Sequence, residues 1–151
     1  MTTLNNEITV NAPIEKIWEA LSVIDTLDKF DPTVKKSTAL TSSKSGIGAK
    51  RKVDMLDGKN WFEEKVTQYK PMEELTYQLT DCTFPIDGLS HSYTFEKFGE
   101  KTKVKQVMQY KVKFGLLGKV LDKLMIRKQT SSGIIKFFDG VRNSVVSINI
   151  R

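Results

Sequence analysis

The chain has 151 residues, with 24 Lys+Arg against 18 Asp+Glu and a formal charge of +6. That length fits one domain, spanning 1–151, that buries roughly 70% of its extended surface on folding. Apolar residues at 39% and charged residues at 28% suit a globular protein and exclude a disordered one.

The first apolar run, Ile8 to Val10, reads as a strand. Asn11-Ala12-Pro13 then signals a helix start, with proline at the first position. Ile14, Ile17, Trp18 and Leu21 follow at helical spacing and predict an amphipathic helix over 13–24. Leu27-Asp28-Lys29-Phe30-Asp31-Pro32 predicts a second helical turn, stopped by the proline. Thr41 to Gly46 is a short polar loop. Strand signals dominate from there to residue 114. Asp57-Gly58 marks a hairpin between 50–56 and 59–69, and Lys70-Pro71-Met72 breaks the chain before Leu75–Thr80. Thr83 to Gly88 reads as a loop, and Gly99-Glu100 separates Leu89–Phe98 from Thr102–Phe114. From Leu116 to about Ile148 the pattern is helical, with Gly133 a weak point inside it. The order is β-α-α-β6-α, an α+β architecture. A sheet of about seven antiparallel strands cannot bury its apolar face alone, and the long C-terminal helix is the one element able to cover it.

The segments Ile8 to Leu21, Gly46 to Arg51, Glu63 to Pro71, Leu75-Thr76-Tyr77 and Gly115 to Asp122 resemble the START-like, birch-pollen-allergen-like (SRPBCC) superfamily. The resemblance is strongest to its polyketide cyclase/dehydrase-type branch. It implies a helix-grip fold, with a curved sheet wrapped around the C-terminal helix and a deep apolar cavity between them. It leaves function open, because that superfamily includes lipid carriers, cyclases, hormone receptors and co-chaperones.

Strand parity names the residues that face such a cavity. A turn at Asp57-Gly58 sets Arg51 opposite Glu64 and Val53 opposite Phe62, with Lys52 opposite Glu63 on the other face. Val53, Phe62 and Val66 make the first face apolar, so Arg51 and Glu64 point inward. A turn at Gly99-Glu100 pairs Phe95 with Val104, Tyr93 with Gln106 and His91 with Met108. Tyr110, Val112 and Phe114 extend that face, and Leu75, Tyr77 and Leu79 join it. Lys103, Lys105, Gln109, Lys111 and Lys113 alternate outward. On the helix, Leu117, Leu121 and Leu124, then Ile135 and Phe138, supply the apolar side. The polar stretch Arg127 to Ser132 interrupts them and fits over a cavity mouth.

An apolar, aromatic interior with a few polar groups suits a small hydrophobic ligand such as a lipid, polyketide or isoprenoid-like molecule. If the chain is an enzyme, the candidates are His91, Tyr93 or Glu64 as acid or base and Arg51 as the group that stabilises a developing enolate. The same residues have plainer readings. Arg51 and Glu64 form a buried ion pair of little net value, and His91 is a hydrogen-bonded core imidazole. Tyr77 and Tyr93 are packing residues, and Cys82 is an ordinary thiol.

No histidine pair, Cys-x-x-Cys or carboxylate cluster has metal spacing, so neither a metal nor another cofactor is expected. Gly46-Ile47-Gly48 precedes a strand and is a turn, not a dinucleotide loop. No run approaches the roughly 20 apolar residues of a transmembrane helix, and Met1 to Glu7 does not resemble a secretion signal. Together with a single cysteine, these features make a cytoplasmic location the expectation.

Charge is uneven: residues 1–100 carry 12 basic and 16 acidic side chains, whereas residues 101–151 carry 12 and 2. That excess raises an anionic partner or weak peripheral membrane contact as a reading. The outward lysines have little aromatic interleaving, which argues against nucleic acid. The excess is instead expected to divide between the sheet's outer face and the helix positions Lys119, Lys123 and Arg127, leaving Lys128 beside the mouth. Oligomeric state is not set by any of these features.

Overall fold

The computed structural model describes residues 1–115 and 127–149, with side chains through residue 144. Seven strands form one antiparallel sheet: β1 (Thr2–Val10), β2 (Val34–Ala39), β3 (Lys50–Met55), β4 (Trp61–Lys70), β5 (Glu74–Cys82), β6 (Ile86–Phe98) and β7 (Lys101–Val112). Their order across the sheet is β1-β7-β6-β5-β4-β3-β2. Every link from β2 to β7 therefore joins neighbours, while α1 (Ile14–Ser22) and a 3₁₀ turn (Leu27–Lys29) carry the chain from one edge to the other. Residues Arg127–Asn149 form the C-terminal helix α2, which contacts α1 and β1. This is the helix-grip arrangement.

Both hairpin registers match the parity argument. Arg51 pairs with Glu64 and Val53 with Phe62; Phe95 pairs with Val104, Tyr93 with Gln106 and His91 with Met108. The β3–β4 connection is longer than two residues, because Met55 and Asn60 close it and Asp57 accepts from the Lys59 and Asn60 amides. The pairing survives because the loop is symmetric about the same centre. At the β6–β7 turn Gly99 has φ +57°, the positive value a tight hairpin demands of its first turn residue.

Register shifts at Glu63/Glu64, Val66/Gln68 and Asp87/Ser90 insert extra residues into single strands. Such bulges bend and twist a sheet, and here three of them lie in the strands that surround the concave face. The predicted loop at Thr83 to Gly88 is shorter than expected, since β6 begins at Ile86.

The N-terminal helix spans 14–22, with Pro13 at its cap position and no side chain capping it. Its apolar stripe, Ile14, Ile17, Trp18 and Leu21, is buried. Trp18 lies edge-on to Tyr69 and to Phe95, each 5.2 Å away between ring centres. On α2 the buried stripe is Ile134, Phe137, Phe138 and Val141. This corrects the expected phase: Ile135 is 60% exposed and faces solvent, because it falls outside the i, i+3, i+4, i+7 stripe of its neighbours. The helix also runs unbroken through Gly133. Gly140 sits where α2 crosses the chain at Phe30; a Cβ there would lie 1.8 Å from the Phe30 carbonyl oxygen.

Among the described residues, no helix is long and apolar enough to cross a membrane.

Candidate functional site

Between the sheet and the start of α2 lies a cavity of about 360 Å³. Its apolar lining comes from Leu27, Met55, Phe62, Leu79, Phe84, Pro85, Ile86, Leu89, Met108, Ile134 and Phe137. One wall is polar, formed by Arg51, Glu64, His91, Tyr93 and Gln106. These five come from β3, β4, β6 and β7, and each projects inward because alternation along its strand leaves it no other face.

The polar wall is a single hydrogen-bonded chain. Arg51 donates from Nε to Glu64 Oε1 at 2.8 Å, and its Nη2 lies 2.6 Å from the same oxygen. Arg51 Nη1 reaches the Ile24 carbonyl at 3.4 Å. From the other side, Asn6 Nδ2 donates to Gln106 Oε1 at 3.3 Å and Gln106 Nε2 donates to the Tyr93 hydroxyl at 3.0 Å. The Tyr93 hydroxyl lies 3.0 Å from His91 Nδ1, and His91 Nε2 lies 2.7 Å from Glu64 Oε2. Because the Glu64 carboxylate only accepts, Nε2 carries the proton of that contact, and in the neutral imidazole Nδ1 then accepts from Tyr93. Every donor in the chain thus points, step by step, toward one carboxylate.

Tyr77 supports the cluster from behind. Its ring stacks on His91 at 5.2 Å, the Arg51 guanidinium carbon sits 4.3 Å from its centre, and its hydroxyl donates to the Leu21 carbonyl at 2.7 Å. Burial pushes the Tyr77 hydroxyl up to about 12. Burial and then the Glu64 charge push the Tyr93 hydroxyl higher still. Burial would also raise the Glu64 carboxyl, but Arg51 and His91 outweigh it and hold that group at about 2. For Arg51, burial works against the charge, while Tyr77 and Glu64 overcome it and raise the guanidinium further.

The residues expected at the site divide cleanly. Arg51, Phe62, Glu64, Leu79, His91, Tyr93, Gln106 and Met108 line the cavity. Val53, Val66, Tyr77, Phe95 and Tyr110 face the same way but are packed into the interior off the cavity wall. Ile135 is on the solvent side, and so is Phe114, 67% exposed because it lies beyond the end of β7 at Val112, where strand alternation no longer holds. Leu117, Leu121, Leu124, Lys119 and Lys123 lie outside the described residues. Of the polar stretch on the helix, Gln129 and Thr130 line the cavity, while Arg127 and Lys128 are exposed. Met55 and Leu89 also line the cavity and were not among the expected residues, although parity offered a signal: Met55 lies two residues beyond Val53 and Leu89 two before His91. Phe84, Pro85 and Ile86 carried no periodic signal, because they belong to a bend and a strand start. No group of three metal-binding side chains occurs among the described residues.

Over residues 1–144 the chain matches the family described as polyketide cyclase / dehydrase and lipid transport, and it belongs to that family. It is thus a member of the START-like, birch-pollen-allergen-like superfamily. No curated protein matches it by sequence. Among solved structures it is similar to the Zhui aromatase/cyclase from Streptomyces sp. R1128, at TM-score 0.82 and 12% identity, covering 99% of this chain and 96% of that one. It is similar to a START superfamily protein from Mycobacterium smegmatis at TM-score 0.78 and 16% identity, covering 97% and 98%. The protein TTHA0849 from Thermus thermophilus matches at TM-score 0.81 and 16% identity, covering 97% and 99%. Likeness at this level of identity establishes the shared fold.

Proposed function

We propose that the chain binds or carries a small, mainly hydrophobic molecule in the cavity, with a polar end of that molecule against Arg51 and Tyr93. The carrying observation is a space of about 360 Å³, apolar on most sides and polar on one. Ligand pockets typically enclose about 300–1,000 Å³ and combine apolar walls with a few placed polar groups. A ligand filling an apolar space of this size gains packing contacts with its walls. Membership in a family that includes lipid transport supports the reading.

A cyclase/dehydrase-type reaction is the second reading, favoured by the convergence of Glu64, His91 and Tyr93 on one wall. It ranks below binding because both His91 nitrogens are already committed, one to Tyr93 and one to Glu64. An imidazole in that state has no lone pair or proton to offer a substrate until the chain rearranges.

Native mass spectrometry after mild purification, with melting curves across lipids and aromatic polyketide-like compounds, tests the binding reading. A retained small molecule, or stabilisation of about 2.7 kcal/mol at a hundredfold excess over Kd, is expected. An always-empty protein whose melting temperature no such compound raises would overturn it.

A further inference from the structure

We infer that the polar wall takes an uncharged oxygen, a hydroxyl or a carbonyl, and rejects a carboxylate. This rests on the cavity-binding reading above and specifies the ligand class. Three charged side chains line the cavity among the described residues: Arg51, Glu64 and Asp31. The single cation is therefore outnumbered. It is also already engaged, since Glu64 Oε1 holds both Nε and Nη2 of Arg51 at 2.6–2.8 Å. Asp31, half-buried, accepts from the Thr33 amide and hydroxyl and brings a second negative charge to the lining.

Hydrogen-bonding capacity points the same way. Of the guanidinium N–H donors, Nε–H goes to Glu64 and one on Nη1 to the Ile24 carbonyl, while Nη2 is in ion-pair contact with the same Glu64 oxygen; the remaining N–H groups are the donors a ligand oxygen would take. With His91 neutral and its proton on Nε2 toward Glu64, the Tyr93 hydrogen goes to Nδ1, and that hydroxyl keeps acceptor capacity beyond its bond from Gln106. The wall therefore offers N–H donors from Arg51 and a lone pair from Tyr93. A ligand carbonyl satisfies the donors, and a hydroxyl suits either group. A carboxylate satisfies the donors as well, but it must shed its hydration to sit beside the buried Glu64 charge, and among the described lining residues the one cation, Arg51, is already paired with Glu64.

The test compares n-decanol and decanoate, matched in chain, by displacement of the neutral dye N-phenylnaphthylamine at about pH 8, where the acid is fully ionised. Decanoate is expected to bind at least about tenfold more weakly than decanol, because only it carries the desolvation cost. Glu64→Gln removes the resident anion and keeps an oxygen for Arg51 to donate to. In that variant decanoate is expected to gain about tenfold or more relative to decanol. Equal binding of the two compounds to the natural protein overturns this inference alone and leaves the cavity reading standing. Displacement by neither compound overturns both. An unchanged ratio in a folded Glu64→Gln protein overturns the assignment to Glu64; should that variant not fold, the comparison on the natural protein decides the matter by itself.

Discussion

The concave face of the sheet is one surface finished in two ways. Around α1 it is filled: Trp18 stands edge-on to Tyr69 and Phe95, and Ile17 and Leu21 share a buried cluster with Ile8, Val10 and Val104. Below the start of α2 the same alternation of inward side chains ends in a cavity of about 360 Å³ and a polar wall. Alternation alone does not distinguish the halves. The difference lies in the chemistry of the inward residues and in what covers them. Where covering and covered surfaces are both apolar they close up to the density of a protein interior. Where five polar side chains satisfy one another, they hold a surface that has no need of apolar cover.

If the polar wall is an interlocked unit, removing one partner should cost more than any change to the filled half. Arg51→Ala leaves Glu64 buried without its counter-charge and should lose about 3–5 kcal/mol in denaturant unfolding. Arg51→Met combined with Glu64→Leu should recover much of that loss. If the double variant is no more stable than Arg51→Ala, the account of an uncompensated charge is wrong.

The acid limb of stability should report the same carboxylate. Glu64 is held at about 2 in the folded protein, below its ordinary 4.5. A lowered folded pKa gives stability that is present above the unfolded value and lost as pH falls through the folded one. About 3 kcal/mol should therefore disappear between roughly pH 4.5 and pH 2. Glu64→Gln should be less stable near neutrality and should lack that component of the slope, as measured by chemical denaturation across this range.

Where α2 crosses Phe30 there is no room at all. Gly140→Ala places a methyl group against a backbone carbonyl and should cost about 2–3 kcal/mol, read as a lower melting temperature. Gly133, with open space around it, should accept alanine with little loss or a gain.

The smallest effect separates the two halves most directly. Val104→Phe, in the filled half, should cost about 1–3 kcal/mol by overpacking. Leu89→Phe, on the cavity wall, should cost under about 1 kcal/mol, because the added atoms have space to enter. It should also weaken ligand binding by occupying that space. Equal penalties at the two sites would break the distinction between a filled and an unfilled half.

Much of this architecture was legible beforehand. The pairings Arg51–Glu64, Tyr93–Gln106 and His91–Met108 follow from two turns and the two-residue period of a strand, all of them local. Helix phase was less secure. Ile134, Ile135, Phe137 and Phe138 are adjacent apolar residues, and only their packing partners show that Ile135 is the one left in solvent. The split between wall and core was hidden too. Val53 and Arg51 share a strand face, as do Tyr110 and Met108, yet one of each pair meets the cavity and the other does not. At the shift between Asp87 and Ser90, Gly88 and Leu89 lie opposite the single residue Tyr110, and Leu89 is the one on the wall. Neither alternation nor turn chemistry locates such a bulge.

The amino-acid sequence by itself determined the helix-grip class, the inward set of side chains and the neutralising Arg51–Glu64 pair. These depend on periodicity and on turns between neighbouring strands, which act over short stretches of chain. The tertiary structure alone decided that Asn6, Gln106, Tyr93, His91 and Glu64 join end to end, and that a space remains beside them. Both depend on side chains from four strands meeting at hydrogen-bond distance, on the bulges that curve the sheet, and on where α2 crosses it. The +10 excess of the last 51 residues has the same dual origin. Its outward positions on β7 follow from alternation, but the fold is what leaves Arg51 as the one cation on the cavity wall among the described residues.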